Sequence, residues 1–172
     1  TPKPEVKPSW VMIADVCDVS GPYAANTAST HPGLSDSVDY INAELDGIKG
    51  VPMQFRLYDT GGKVAVTISR YEELRALKPK PLVLIGHISH QNEVLRPRID
   101  EDHIVALFTG SQIALYPVGY AFAMMPTYID TFGAFIDWLV ENWKEERAPK
   151  VAILTWDLAY GKACISDEGM AY

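Results

Sequence analysis

The stretch LVLIGHISH, residues 82–90, decides the fold of this chain. Its first four residues are apolar, and Gly86 then leads into a polar segment that holds two histidines and a serine. A short apolar run bounded by turn signals is typical of a strand buried on both faces, as in a parallel sheet. Open sheets of this kind bind ligands beyond the carboxyl ends of their strands. The stretch therefore predicts an α/β fold and a sheet edge suited to a ligand.

The sequence on both sides alternates between strand-like and helix-like segments. Further strands are predicted at residues 10–16, 53–58, 104–108, 120–125 and 151–155. Apolar residues at helical spacing predict one helix after Pro32-Gly33, and others at residues 63–77, 92–102 and 130–144. Asn92 is the expected N-cap of the third helix. Repeated strand–helix units predict a mostly parallel, Rossmann-like sheet with right-handed crossovers and helices on both faces.

Composition and charge exclude several classes of function. The chain has 172 residues, 48% of them hydrophobic, which is enough for a core. Its formal net charge of −7 argues against a nucleic-acid partner, because phosphate binding needs clustered Lys and Arg. No apolar run is long enough to span a bilayer. Two cysteines, Cys17 and Cys164, are too few for a disulfide framework, and free thiols are favoured over a bridge.

The motifs of common enzyme classes are missing from the sequence. No G-x-G-x-x-G follows the first strand, and no Walker, G-x-S-x-G or H-E-x-x-H motif occurs. His87 and His90 have no second pair of ligands, so they are interpreted as loop histidines rather than as a metal site. The aspartates at strand ends are interpreted as turn and cap residues. We therefore expect no enzyme activity, no cofactor and no metal.

Small polar residues follow four of the predicted strands. They come in pairs, which are Ser20 with Tyr23, Ser89 with His90, Ser111 with Gln112, and Asp157 with Tyr160. Neutral donors and acceptors on loops suit the recognition of a small polar ligand better than the breaking of a bond. Each residue alone could equally stabilise its loop. Their shared position after successive strands favours a ligand site.

At these positions the chain resembles the type I periplasmic binding proteins, specifically the substrate-binding proteins of ABC transporters that take branched-chain amino acids (leucine, isoleucine and valine). Six segments that are similar to this family occur in family order over nearly the whole chain. They are Ser20-Gly21-Pro22, DYINA at residues 39–43, GIKG at residues 47–50, Tyr58-Asp59, Ile85-Gly86-His87, and VAIL at residues 151–154 with Tyr160-Gly161. No single segment is decisive, and the order of all six makes the resemblance specific.

The resemblance implies two α/β lobes that hold a ligand between them. Residues 1–9, with three prolines, would be an extended lead-in, residues 10–125 the first lobe without its C-terminal return, and residues 126–172 the start of the second lobe. A ligand carboxylate would be held by Ser89 or His90 and by Ser111 and Gln112, and its ammonium group by Tyr160. The expected ligand-binding set is Ser20, Tyr23, Ser89, His90, Ser111, Gln112 and Tyr160.

The expected function is that of a periplasmic or extracellular solute-binding protein. It would capture an amino acid, or a related carboxylate or amide, and present it to an ABC transporter permease. The proline-rich start would suit a tether beyond a lipid anchor. Two alternatives stay open, a ligand-sensing regulator or receptor domain of the same fold and, less favoured, an α/β hydrolase. The apolar face of the helix at residues 130–144 has core spacing, but this chain would leave it partly uncovered, which predicts self-association.

Overall fold

A computed structural model describes residues 7–171 and confirms the parallel α/β fold. Residues 1–6 of the predicted lead-in lie outside the described part, as does Tyr172. Five strands form one sheet in the order β2-β1-β3-β4-β5, and every neighbouring pair is parallel. They are β1 (Val11–Cys17), β2 (Met53–Asp59), β3 (Val83–Gly86), β4 (Val105–Phe108) and β5 (Ala121–Ala123). The stretch that begins at residue 82 thus lies in the middle of the sheet.

The register of the sheet brings the carboxyl ends of the strands to one edge. Cys17 pairs with Asp59 across β1 and β2. Gly86 ends β3 opposite Val16 of β1 and Phe108 of β4. The loops that follow the strands therefore start side by side, and this edge is where the polar residues predicted to bind a ligand are found.

Helices connect the strands and extend beyond the sheet. The longer ones are α2 (Thr30–Leu45), α3 (Val64–Arg75), α4 (Ser89–Asp102) and α6 (Tyr128–Asn142). The short ones are α1 (Ala24–Thr27), α5 (Gln112–Leu115), α7 (Ala159–Lys162) and α8 (Asp167–Met170), with a 3-10 turn at Ala163–Ile165. None of the described helices is both long enough and apolar enough to cross a membrane.

Helices α2 and α4 begin at least three residues earlier than predicted. Helix α2 starts at Thr30 and includes Pro32-Gly33, because proline is tolerated in a first turn, where its missing N–H would have no partner in any case. Helix α4 starts at Ser89, so the prediction that Asn92 caps it is wrong. Asn92 is buried, and its side-chain amide donates to the Gly86 carbonyl at 3.2 Å and to Thr109 Oγ1 at 3.2 Å. It joins the ends of β3 and β4 instead.

The predicted strand at residues 151–155 is not formed. These residues have no regular secondary structure and are exposed, and Leu154 has a relative accessibility of 102%. A strand is stable when a neighbour completes its hydrogen bonds, and no described strand pairs with this segment. The local apolar pattern was therefore not sufficient to form a strand.

The hydrophobic core lies between the sheet and helices α3 and α4. Its fully buried side chains include Met12, Ala14, Tyr71, Leu74, Leu84, Leu95, Ile99, Ala106 and Phe108. Helix α6 contributes little to it, since Ile129 and Gly133 are its buried residues and Phe135 and Trp138 are exposed. Core spacing thus correctly predicted an amphipathic helix, but its apolar face is only partly covered: Phe135 is exposed, and Phe132, Ile136, Leu139 and Trp143 are half-buried.

Candidate functional site

Two adjoining cavities lie at the carboxyl edge of the sheet, and together we call them the cleft. The first cavity, of about 280 Å³, is lined by Tyr23, Asn26, Thr27, His87, Ile88, Ser89, His90, Tyr128, Trp156, Leu158 and Tyr160. The second cavity, of about 510 Å³, shares His90 and Leu158 with the first. It is also lined by Glu93, Ser111, Gln112, Ile113, Ile129, Asp157, Ala159, Lys162, Ala163, Ser166 and Glu168. Loops after β1, β3 and β4 therefore meet residues from 128 onward.

The loop after β1 is held by a buried aspartate. Asp18 is fully buried, and its carboxylate accepts hydrogen bonds from the backbone N–H of Gly21 at 2.6 Å and of Tyr23 at 2.8 Å. Backbone N–H donors of this kind stabilise a buried carboxylate and fix the turn that follows the strand. Asp18 is thus a turn-forming residue, as the sequence suggested, and it directs Tyr23 into the first cavity.

Asp59, at the end of β2, has a similar structural role. Partial burial opposes its ionisation, but hydrogen bonds from Ser20 Oγ at 2.5 Å and from the N–H groups of Val19 and Gly61 at 3.0 Å outweigh this effect. They lower the pKa of Asp59 to about 2. Ser20, predicted to bind the ligand, is therefore bonded to Asp59, and it lines neither cavity.

The loop after β3 places His87 and Ser89 at the first cavity. His87 Nε2 lies 3.2 Å from Oδ1 of the fully buried Asp15, within ion-pair distance, although the two groups are not aligned for a hydrogen bond. Ser89 Oγ lies 2.9 Å from the hydroxyl of Tyr128, and either group can donate. One wall of the cavity is thus linked by a hydrogen bond to helix α6.

Aromatic rings form much of the first cavity. The ring of Tyr23 lies 5.5 Å from the ring of His90 and 5.9 Å from that of Trp156, measured between centroids. Tyr128 and Tyr160 meet edge to face at 4.8 Å. These spacings are those of favourable aromatic pairs. The exposed rings of Trp156 and Tyr160 leave apolar surface open to a ligand.

The second cavity has a largely apolar lining that also carries acidic and other polar side chains. Ser111 Oγ donates to Glu93 Oε1 at 2.6 Å, and Gln112 Oε1 is buried without a hydrogen-bond partner in the described part of the chain. Lys162 Nζ lies 2.7 Å from Asp157 Oδ1, and its hydrogen bond and positive charge lower the pKa of Asp157. The single lysine of this cavity is therefore already paired.

The cleft contains all but one of the residues predicted to bind a ligand. Ser20 is the residue outside it; Tyr23, Ser89, His90 and Tyr160 line the first cavity, and His90, Ser111 and Gln112 line the second. Glu93, Tyr128 and Trp156 also line the cleft although their sequence context did not predict it, and His87, interpreted as a loop histidine, lines the first cavity. The position of Trp156, directly after the segment 151–155, was a signal that could have identified it.

Cys17 is the last residue of β1, and its thiol is unreactive. Burial, followed by the adjacent charge of Asp15, raises the pKa of its thiol well above the usual range. The thiol form is a poor nucleophile. Both cysteines are free, as predicted. No group of three or more His, Cys, Asp or Glu side chains in residues 7–171 is arranged to hold a metal ion.

Comparison with solved structures supports the same fold. A branched-chain amino acid ABC transporter protein from Thermus thermophilus with bound valine is 20% identical with a TM-score of 0.81, over 94% of this chain and 42% of that one. A substrate-binding protein from Streptococcus pneumoniae in complex with isoleucine is 18% identical with a TM-score of 0.67, over 77% and 38%. A fatty acid ABC transporter substrate-binding protein from Thermomonospora curvata is 19% identical with a TM-score of 0.66, over 79% and 34%.

This chain spans less than half the length of each of those proteins. No curated protein sequence matches it. The sequence profile of the periplasmic binding protein family, in contrast, matches residues 11–169, which include all five strands and the residues that line the cleft. The chain therefore belongs to the periplasmic binding protein family.

Proposed function

We propose that the protein is an extracytoplasmic solute-binding protein that delivers a small polar solute to an ABC transporter permease, without catalysing a reaction. The cleft is the observation that supports this function. It combines the loops after β1 and β3 with residues 156–160 around a cavity of about 280 Å³. A cavity at the carboxyl edge of a parallel sheet, lined by aromatic rings and a few polar groups, suits a small molecule.

In this proposal, residues 10–125 form one lobe and residues 126–172 begin a second. The first cavity lies between them, since Tyr23 and His87–His90 come from one and Tyr128, Trp156 and Tyr160 from the other. A ligand that contacts both lobes at once stabilises their closed arrangement, because those contacts are lost on opening. The pair formed by Ser89 and Tyr128 marks a place where the two lobes already touch.

The related proteins suggest which solutes to test. Two of them were solved with valine or isoleucine, and one is named for fatty acids. Amino acids, related carboxylates and amides therefore form the first panel, and the proposed contact residues are Tyr23, Ser89, His90, Ser111, Gln112 and Tyr160. Ser20 is a weaker candidate because its hydroxyl is bonded to Asp59.

Isothermal titration calorimetry on the whole protein tests the proposal. We expect saturable, one-site binding of at least one solute from a panel of amino acids, carboxylates, amides and amines. Tyr160→Ala should weaken that binding by about tenfold, because it removes an exposed ring of the cavity. Tyr40→Ala is a matched control, since Tyr40 is also exposed but lies on α2 outside the cleft. Absence of binding throughout the panel would contradict the function.

A further inference from the structure

Two hydroxyl groups that the resemblance assigned to a ligand carboxylate already have partners within the chain. Ser111 Oγ donates its hydrogen to Glu93 Oε1 at 2.6 Å. Ser89 Oγ is bonded to the Tyr128 hydroxyl at 2.9 Å. The carboxylate of Glu93 thus takes the place at Ser111 that a ligand carboxylate would need. A second carboxylate beside it would meet a like charge, and Ser111 would have no hydrogen left to donate to it.

Carboxylates outnumber lysine and arginine side chains around the cleft. Three carboxylates, those of Glu93, Asp157 and Glu168, line the second cavity, and Lys162 is the basic side chain beside them. Lys162 is already paired with Asp157 at 2.7 Å. Neither cavity has an arginine among its described lining residues. The cleft therefore favours a cation over an anion.

The histidines and aromatic rings of the first cavity are compatible with a cation. The carboxyl group of the fully buried Asp15 lies 3.2 Å from His87 Nε2, so an acidic side chain adjoins this wall of the cavity. Tyr23, Trp156 and Tyr160 line this cavity with aromatic rings, and the negative π surface of such rings attracts cations. An apolar or aromatic body would also pack against these rings.

We infer that the ligand of the cleft is an organic ammonium ion with an apolar or aromatic body and no carboxylate at the Glu93 end. Its charged nitrogen lies beside Glu93, and its body occupies the first cavity against Tyr23, Trp156 and Tyr160. The cavity of about 280 Å³ limits the body to a small molecule. This inference rests on the proposed solute-binding function and specifies its ligand class.

Ligands that share a 2-phenylethyl body and carry a cationic, anionic or neutral head group test the inference. Calorimetry on the whole protein would compare 2-phenylethylammonium, 3-phenylpropanoate and the neutral 3-phenylpropanamide in one buffer of low ionic strength. We expect the ammonium ion to bind at least tenfold more tightly than the carboxylate and more tightly than the amide. If the carboxylate or the amide binds as tightly as the ammonium ion, the inference is overturned while the solute-binding function stands. If the wider panel of amino acids, carboxylates, amides and amines gives no binding, both are overturned.

Substitution of Glu93 tests the charge itself. Glu93→Gln should weaken binding of the ammonium ion by about tenfold or more and strengthen binding of the carboxylate, which a purely structural role would not do. Glu93→Asp keeps the charge and should keep the preference for the ammonium ion. Glu44→Gln is the control, because Glu44 is exposed on α2 and lines neither cavity. Equal weakening of both ligands by Glu93→Gln, or loss of the preference in Glu93→Asp, would contradict the inference.

Discussion

The sheet region, residues 11–123, and the C-terminal region, residues 126–171, both have apolar patterns, but their apolar side chains differ greatly in burial. Leu84 in β3 is fully buried, whereas Leu154 is fully exposed at 102%. Helix α6 has an apolar face, yet Phe135 and Trp138 are 45% and 57% exposed. An apolar pattern therefore specifies which face of an element is suited to burial. Whether that face is buried depends on a partner element.

A leucine-to-alanine substitution made in each region gives the largest expected difference in the free energy of unfolding. Leu84→Ala should lower the free energy of unfolding by about 2–5 kcal/mol, because it opens a cavity in the core between β1 and β4. Leu154→Ala should change it by less than about 0.5 kcal/mol, because the side chain is already in solvent. Urea unfolding followed by circular dichroism measures both. Equal effects would show that residues 151–155 are buried in solution.

The same comparison between the two regions can be made with a pair of asparagines, for which the expected change in the free energy of unfolding is smaller. Asn92→Ala should cost about 1–3 kcal/mol, because it leaves the Gly86 carbonyl and Thr109 hydroxyl without their shared donor in a buried site. Asn142→Ala is the matched change in α6, where the exposed amide donates to the Trp138 carbonyl. Its expected cost is below about 0.5 kcal/mol. The same urea titration measures both, and a small effect at Asn92 would contradict its role in joining β3 to β4.

The smallest expected effect on stability comes from the protonation of Asp59 at acid pH. The pKa of Asp59 falls from 3.8 to about 2 on folding, so its contribution is complete above the unfolded value and is lost as the pH falls toward 2. Because Asp59 is partly exposed, we expect about 1–2 kcal/mol. Asp59→Asn should lower stability at pH 7 by this amount and flatten the pH dependence between about pH 5 and 2.

The control for that titration comes from the C-terminal region. Asp157 is fully exposed and paired with Lys162, so solvent screens its interaction. Asp157→Asn should leave the pH dependence of unfolding close to that of the unchanged protein. A curve for Asp59→Asn that also matches the unchanged protein between pH 5 and 2 would show that the hydrogen bonds from Ser20 and Val19 add no stability.

Local patterns were a good guide to the sheet and to most of the candidate site. The apolar run at residues 82–85 correctly predicted a buried strand, and the polar residues after it line the cleft. Helix starts were less predictable. Asn92 has the chemistry of an N-cap, but it is buried as a donor to Gly86 and Thr109, which a local motif does not reveal. Glu93 was missed because its neighbour Ser111 is distant in sequence.

The sequence by itself determined the alternation of strands and helices, the parallel sheet and the edge at which polar residues collect. These features follow from residue spacing, which acts over one turn of helix or a few residues of strand. Tertiary structure alone decided that Ser20 bonds to Asp59, that Ser111 bonds to Glu93 and that residues 151–155 have no strand partner. Hydrogen bonds and burial depend on atoms far apart in the chain. The sequence therefore indicated where the site lies, and the folded contacts determined its charge.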